Sequence, residues 1–103
     1  MNSVSSNKNQ FKVYLKNAGM ANNTINTYCT ALNRKITTAI RDLCNVDLGS
    51  IFAVINTRLL TYWLKTLKDK KEFNILNSEW NDSPHAAFKK YIEYIKHLSR
   101  QSE

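Results

Sequence analysis

Two glycines and one proline are all the backbone punctuation that 103 residues contain. A sandwich or barrel of short strands needs a turn about every 8 to 12 residues, and Gly, Pro, Asn and Asp supply most of them. A helical domain needs far fewer, so the chain reads as all-α. Apolar residues make up 43% of it, with two Trp, five Tyr and four Phe, which is enough to bury one core and sets it apart from a disordered tail. The length suits one domain rather than two.

Helical periodicity then places the elements. Residues 1–9 are polar and rich in Ser and Asn, and are expected to be a loosely ordered tail before a single domain over 10–99 and a short tail over 100–103. Phe11, Tyr14, Leu15 and Ala18 follow the i, i+3, i+4, i+7 spacing, and Gly19 stands where helices commonly end in a left-handed residue. Asn22 and Asn23 offer N-cap side chains to a second helix over 24–40, whose apolar stripe is Ile25, Tyr28, Leu32, Ile36, Ala39 and Ile40.

From Asp42 to Ser50 the period is lost, which suits a loop. Asn56 can cap a third helix over 57–67 that turns Leu59, Leu60, Trp63, Leu64 and Leu67 inward. Phe73, Ile75, Leu76 and Trp80 fit either a short helical turn or an anchored loop. Asp82, Ser83 and Pro84 give a capping side chain followed by proline, and the last helix, over 84–98, buries Phe88, Tyr91, Ile92, Ile95 and Leu98. The expected architecture is a compact bundle of four helices, or five if the 73–80 segment is helical.

Charge bears most directly on function. Residues 1–41 hold six cations and no carboxylate, whereas the remainder holds nine cations against eight carboxylates, so almost all of the net +7 sits in the first part. A region of one sign works against its own repulsion, and a phosphate backbone is the commonest partner that relieves it. The exposed face of the second helix carries Asn26, Thr27, Thr30 and Asn33, then Arg34, Lys35 and Arg41. Amide and hydroxyl groups suit base edges and cations suit phosphates. Asn22, Asn23 and Thr24 at the helix start add hydrogen-bonding groups beside unpaired backbone N–H groups.

The run from Phe11 through Tyr14, Leu15, Gly19, Thr24, Ile25 and Tyr28 to Leu32 resembles the opening of the core-binding domain of tyrosine recombinases and phage integrases. That family shows an apolar-Tyr-Leu helix, a Gly turn, a polar cap and then Thr-Ile-x-x-Tyr-x-x-x-Leu. The run Pro84 to Ile95 is similar to the last helix of modules that precede restriction-type nuclease domains. The resemblance implies a sterile-alpha-motif-like DNA-binding fold whose second and last helices clamp double-stranded DNA. On that reading Lys16, Arg34, Lys35, Arg41, Lys89 and Lys90 hold phosphates, and a downstream catalytic domain or a second copy of the chain completes the assembly.

Catalysis by this chain itself is not expected. There is no Gly-rich phosphate loop, no His-Glu-x-x-His, and no Cys or His cluster at metal-ligand spacing, so neither a metal nor another cofactor is anticipated. Cys29 and Cys44 read as reduced thiols, and with no leader and no membrane-length apolar run the chain is expected to be cytoplasmic. A second reading makes it a helical adaptor that binds protein through aromatics exposed around Phe52, Trp63 and Trp80.

Overall fold

A computed structural model describes residues 4–101, and every regular element among them is a helix. Helix α1 spans Val4–Asn17. Helix α2 is one continuous rod built from Asn22–Thr30, a π-helical stretch Ala31–Ile36, and Thr37–Cys44. A 3-10 turn at Ile51–Ala53 leads into α3 (Thr57–Lys68), α4 (Lys71–Glu79) and the long α5 (Ser83–Gln101). The segment around Phe73 is thus a fifth helix, anchored by Phe73 in the core.

Helix α1 begins earlier than its apolar pattern suggests. Residues 4–9 are helical rather than loose, and Asn7 is the reason: its Nδ2 donates to the Phe52 carbonyl (2.8 Å) and to the Tyr91 hydroxyl (2.9 Å). Its Oδ1 accepts from the Tyr94 hydroxyl at 2.9 Å, while the Tyr91 hydroxyl donates to the Val54 carbonyl at 2.7 Å. One polar side chain therefore ties α1 to the 3-10 turn and to α5. The helix α5 reaches Gln101, so the expected C-terminal tail is helical at its start; residues 1–3 and 102–103 lie outside the described residues.

Gly19 performs the role expected of it. With φ at +88° it closes α1 by the Schellman pattern, in which the Met20 N–H donates to the Leu15 carbonyl and the Gly19 N–H to the Lys16 carbonyl. The α2 start differs from expectation. Its N-cap is Ala21, with no side-chain cap bond, because the Gly turn leaves only Met20 and Ala21 before helical geometry begins and Asn22 and Asn23 already lie inside the first turn.

The core is one cluster. Phe11 packs edge-on against Tyr91 with 5.6 Å between ring centroids, and Phe52 meets Tyr91 in the same way at 5.4 Å. Ile25, Cys29, Ala31, Leu32, Ile36, Ala39 and Ile40 bring α2 onto it, with Tyr28 half-buried at the edge. From α3 come Leu60, Trp63 and Leu67, with Leu64 half-buried and Leu59 left outside. Tyr94 joins Phe88, Tyr91, Ile92 and Ile95 from α5, and Leu98 is half-buried.

Thr37 locks the π-helical stretch to the loop that follows. Its backbone N–H and its hydroxyl (3.0 Å) both donate to the Leu32 carbonyl, and the hydroxyl accepts from the Ile51 N–H at 3.0 Å. The α5 start is capped across space: Asn77 of α4 accepts from the His85 N–H at 2.9 Å. Neither Asp82 nor Ser83 supplies the bond expected of it, because Asn81 and Asp82 both take left-handed backbone and Asp82 Oδ1 accepts from Asn77 Nδ2 instead.

Candidate nucleic-acid interface

Lys8, Lys12 and Lys16 recur every four residues along α1 and therefore share one face, at about 6 Å of rise per step. Lys16 is exposed and the other two are half-buried. Burial raises the Cys29 thiol above its ordinary value, and Lys12 and Lys8 oppose that rise, so both ammonium groups stand within electrostatic reach of α2. Asn22, Asn26 and Asn33 lie seven and three residues before Cys29 and four after it, on the side of α2 that Cys29 occupies, and all three are exposed. A rail of ammonium groups on α1 thus borders a band of amides on α2.

Sequence reasoning missed Lys8 and Lys12, because they fall within or beside the presumed tail. The four-residue spacing was the signal that could have found them.

The remaining expected site residues have varied surroundings. Thr24 is half-buried in the first turn of α2, and Thr30 and Arg34 are exposed. The Thr27 hydroxyl donates to the Asn23 carbonyl at 2.9 Å, and Asn33 Oδ1 accepts from the Ser50 hydroxyl at 3.2 Å. Lys35 leaves the outer face and stacks its ammonium 4.7 Å from the centre of the Trp80 ring. Arg41 pairs with Asp42 at 3.2 Å and Lys90 with Glu93 at 3.3 Å. Among the described residues Lys8, Lys12, Lys16 and Arg34 have no carboxylate partner.

Lys89 and Lys90 lie elsewhere. Helices α2 and α5 meet through their apolar stripes, so their polar faces turn away from one another. Lys89 and Lys68 stand within electrostatic reach of His85 at the start of α5; burial first, then Lys68 and Lys89, hold the His85 imidazole below its ordinary value against the opposing pull of Asp82.

The adaptor surface expected around Phe52, Trp63 and Trp80 does not form. Phe52 and Trp63 are core residues and Trp80 is half-buried with the Lys35 ammonium over its ring, because the helical phase of α3 turns Trp63 inward and the 3-10 turn does the same for Phe52. Cys29 is buried, Cys44 is half-buried, and both are free thiols. Among the described residues no group of three His, Cys, Asp or Glu side chains is placed to hold a metal ion, and no helix is long and apolar enough to cross a membrane. No protein-family model, curated protein or solved structure matches the chain.

Proposed function

We propose that this chain is a duplex-DNA-binding module with no chemistry of its own, of the kind implied by its resemblance to the core-binding domain of integrases. The observation that carries the reading is the α1–α2 face: Lys8, Lys12, Lys16 and Arg34 without carboxylate partners, beside Asn22, Asn26, Thr30 and Asn33, in a stretch of 41 residues free of acid. Cations spaced along a helix track a phosphate strand, and the adjoining amides and hydroxyls are suited to base edges. Lys35, Arg41 and Lys90, each engaged within the fold, contribute less in this arrangement. Lys89, on another side of the molecule, contributes least.

Four phosphate contacts give log affinity against log salt a slope of roughly −3.6, and an isolated module of this kind binds with micromolar or weaker affinity at physiological salt. The test measures binding of a short duplex by fluorescence anisotropy over a salt series. Reversing Lys12, Lys16 and Arg34 to Glu is expected to abolish most binding and flatten the slope by about 3. Reversing Lys68, Lys70 and Lys71 changes net charge equally and is expected to leave the slope near its original value. Equal losses from the two triple variants would reduce the protein to a diffuse polycation and remove the proposed face.

A further inference from the structure

The outer side of α3 has a different character. Leu59 and Tyr62, one turn apart on the side away from Leu60 and Leu67, are 39% and 64% exposed, and Ile55, which precedes the Asn56 N-cap, is 66% exposed, so the apolar stripe starts just ahead of the helix. Arg58 and Lys65, also exposed and seven residues apart, run beside that stripe on one edge. Helix α3 contains no carboxylate; the first one after it is Asp69, at its C-terminal cap. Nothing in the DNA-binding face uses these residues.

We infer that this stripe docks an acidic amphipathic helix of another protein, which sets aliphatic side chains on Ile55, Leu59 and Tyr62 and carboxylates against Arg58 and Lys65. Three features select that occupant. Ile55 and Leu59 have no hydrogen-bonding group, so a phosphate backbone gains nothing from them, whereas an apolar side chain removes their surface from water. A second copy of this chain would bring a stripe flanked by the same two cations, and like charges meeting across an interface oppose it. Leu59 and Tyr62, one turn apart on α3 with Ile55 just ahead of the helix, offer apolar surface along the helix axis to the anchors that a docked helix presents at i, i+3 or i+4, and i+7. Tyrosine and arginine are also among the residues enriched at the energetic centre of protein interfaces.

The experiment records amide chemical shifts of the isotope-labelled full chain as a synthetic peptide is added. The probe is a helical peptide with leucines at i, i+4 and i+7 and glutamates along one edge; a control has the same composition with the leucines scrambled off one face. The proposal expects shifts centred on Ile55, Arg58, Leu59, Tyr62 and Lys65, saturating below about 1 mM, the weak end of specific affinities. It expects the scrambled peptide to bind at least tenfold more weakly, and both Tyr62→Ala and the pair Arg58→Glu, Lys65→Glu to weaken the ordered peptide by a similar factor. Both variants alter exposed side chains, and an unchanged thermal midpoint confirms that they fold.

Equal binding of the two peptides, shifts that fall on the α1 lysines, or no shift at these residues overturns it. So does displacement of the peptide by duplex DNA accompanied by the same α3 shifts, which would make the stripe part of a nucleic-acid surface. A concentration-dependent dimer abolished by Tyr62→Ala would assign the stripe to a second copy and likewise overturn the proposal. The DNA-binding reading stands or falls separately, on the α1–α2 variants.

Discussion

The two helical hairpins of this protein rest on the same helix but are built from opposite materials. The α1–α2 hairpin turns at a left-handed glycine, keeps Lys8, Lys12, Lys16 and Arg34 free of carboxylate partners and holds its polar Asn7 inside a network with Tyr91 and Tyr94. The α3–α4 hairpin mixes Lys68, Lys70 and Lys71 with Asp69, Glu72 and Glu79, and exposes Ile55, Leu59 and Tyr62. The first hairpin presents long-range charge and the second presents local apolar surface. Charge of one sign attracts an extended polyelectrolyte with little demand on shape, whereas a short apolar stripe recognises only a partner that covers it closely. A single small core supports both because each surface uses residues that the core does not need.

The contrast between inside and outside at comparable leucines gives the largest expected effect. Leu32 is fully buried at the centre of α2, and its replacement by Ala is expected to lower stability by about 2 to 5 kcal/mol through lost burial and an unfilled cavity. Leu59, the exposed leucine of α3, is expected to change stability by less than about 0.5 kcal/mol on the same replacement. Urea unfolding followed by circular dichroism measures both. A large loss at Leu59 would mean that its stripe is part of the fold and no docking surface.

A smaller effect separates the two asparagines that tie the hairpins to α5. Asn7→Ala leaves the Tyr94 hydroxyl only the long bond to Gln10 Oε1 (3.5 Å) and removes a partner of the Tyr91 hydroxyl, and is expected to lower stability by about 1 to 3 kcal/mol. Asn77→Ala removes an exposed-side cap from the His85 N–H, with an expected loss of about 1 kcal/mol. Hydrogen exchange adds location: the Asn7 variant is expected to loosen α1, and the Asn77 variant the α4–α5 junction. The comparison breaks if both variants loosen the same helix.

The smallest effect is a pH dependence at the start of α5, where the second hairpin meets it. The folded state holds the His85 imidazole below its ordinary value of 6.5, through burial and then through Lys68 and Lys89. The unfolded chain therefore binds the extra proton first as pH falls, so stability drops as pH falls through about 6.5 and is fully present above it. Replacing His85 by Gln is expected to flatten that part of the stability profile. An unchanged slope would show that His85 is not the group behind the dependence.

Local chemistry made much of the fold legible. The apolar stripes of α2, α3 and α5, the Gly19 stop and the Asn56 cap are properties of residues within one or two turns of each other, and apart from Leu59, which lies outside the core, each appears where the sequence places it. The fifth helix was open between two local solutions, and burial of Phe73 resolves it. The candidate site was legible in its charge but not in its membership. Lys16 and Arg34 were identifiable from segregation of sign, while Lys8 was hidden because α1 extends into a segment with no apolar period, and Lys12, inside the expected helix, shared its face with Lys16 alone until that extension supplied a third lysine.

What the sequence by itself determined is the all-helical class, the helix phases and the excess of positive charge in the first 41 residues, since all three follow from composition and short-range spacing. Tertiary structure decided which polar side chains are spent inside the fold. Asn7 anchors α1 across 84 positions of chain to Tyr91, Lys35 covers Trp80, and Asn77 caps the next helix. A buried or half-buried polar group must find a partner wherever the packing brings one, and no local pattern encodes a partner that distant.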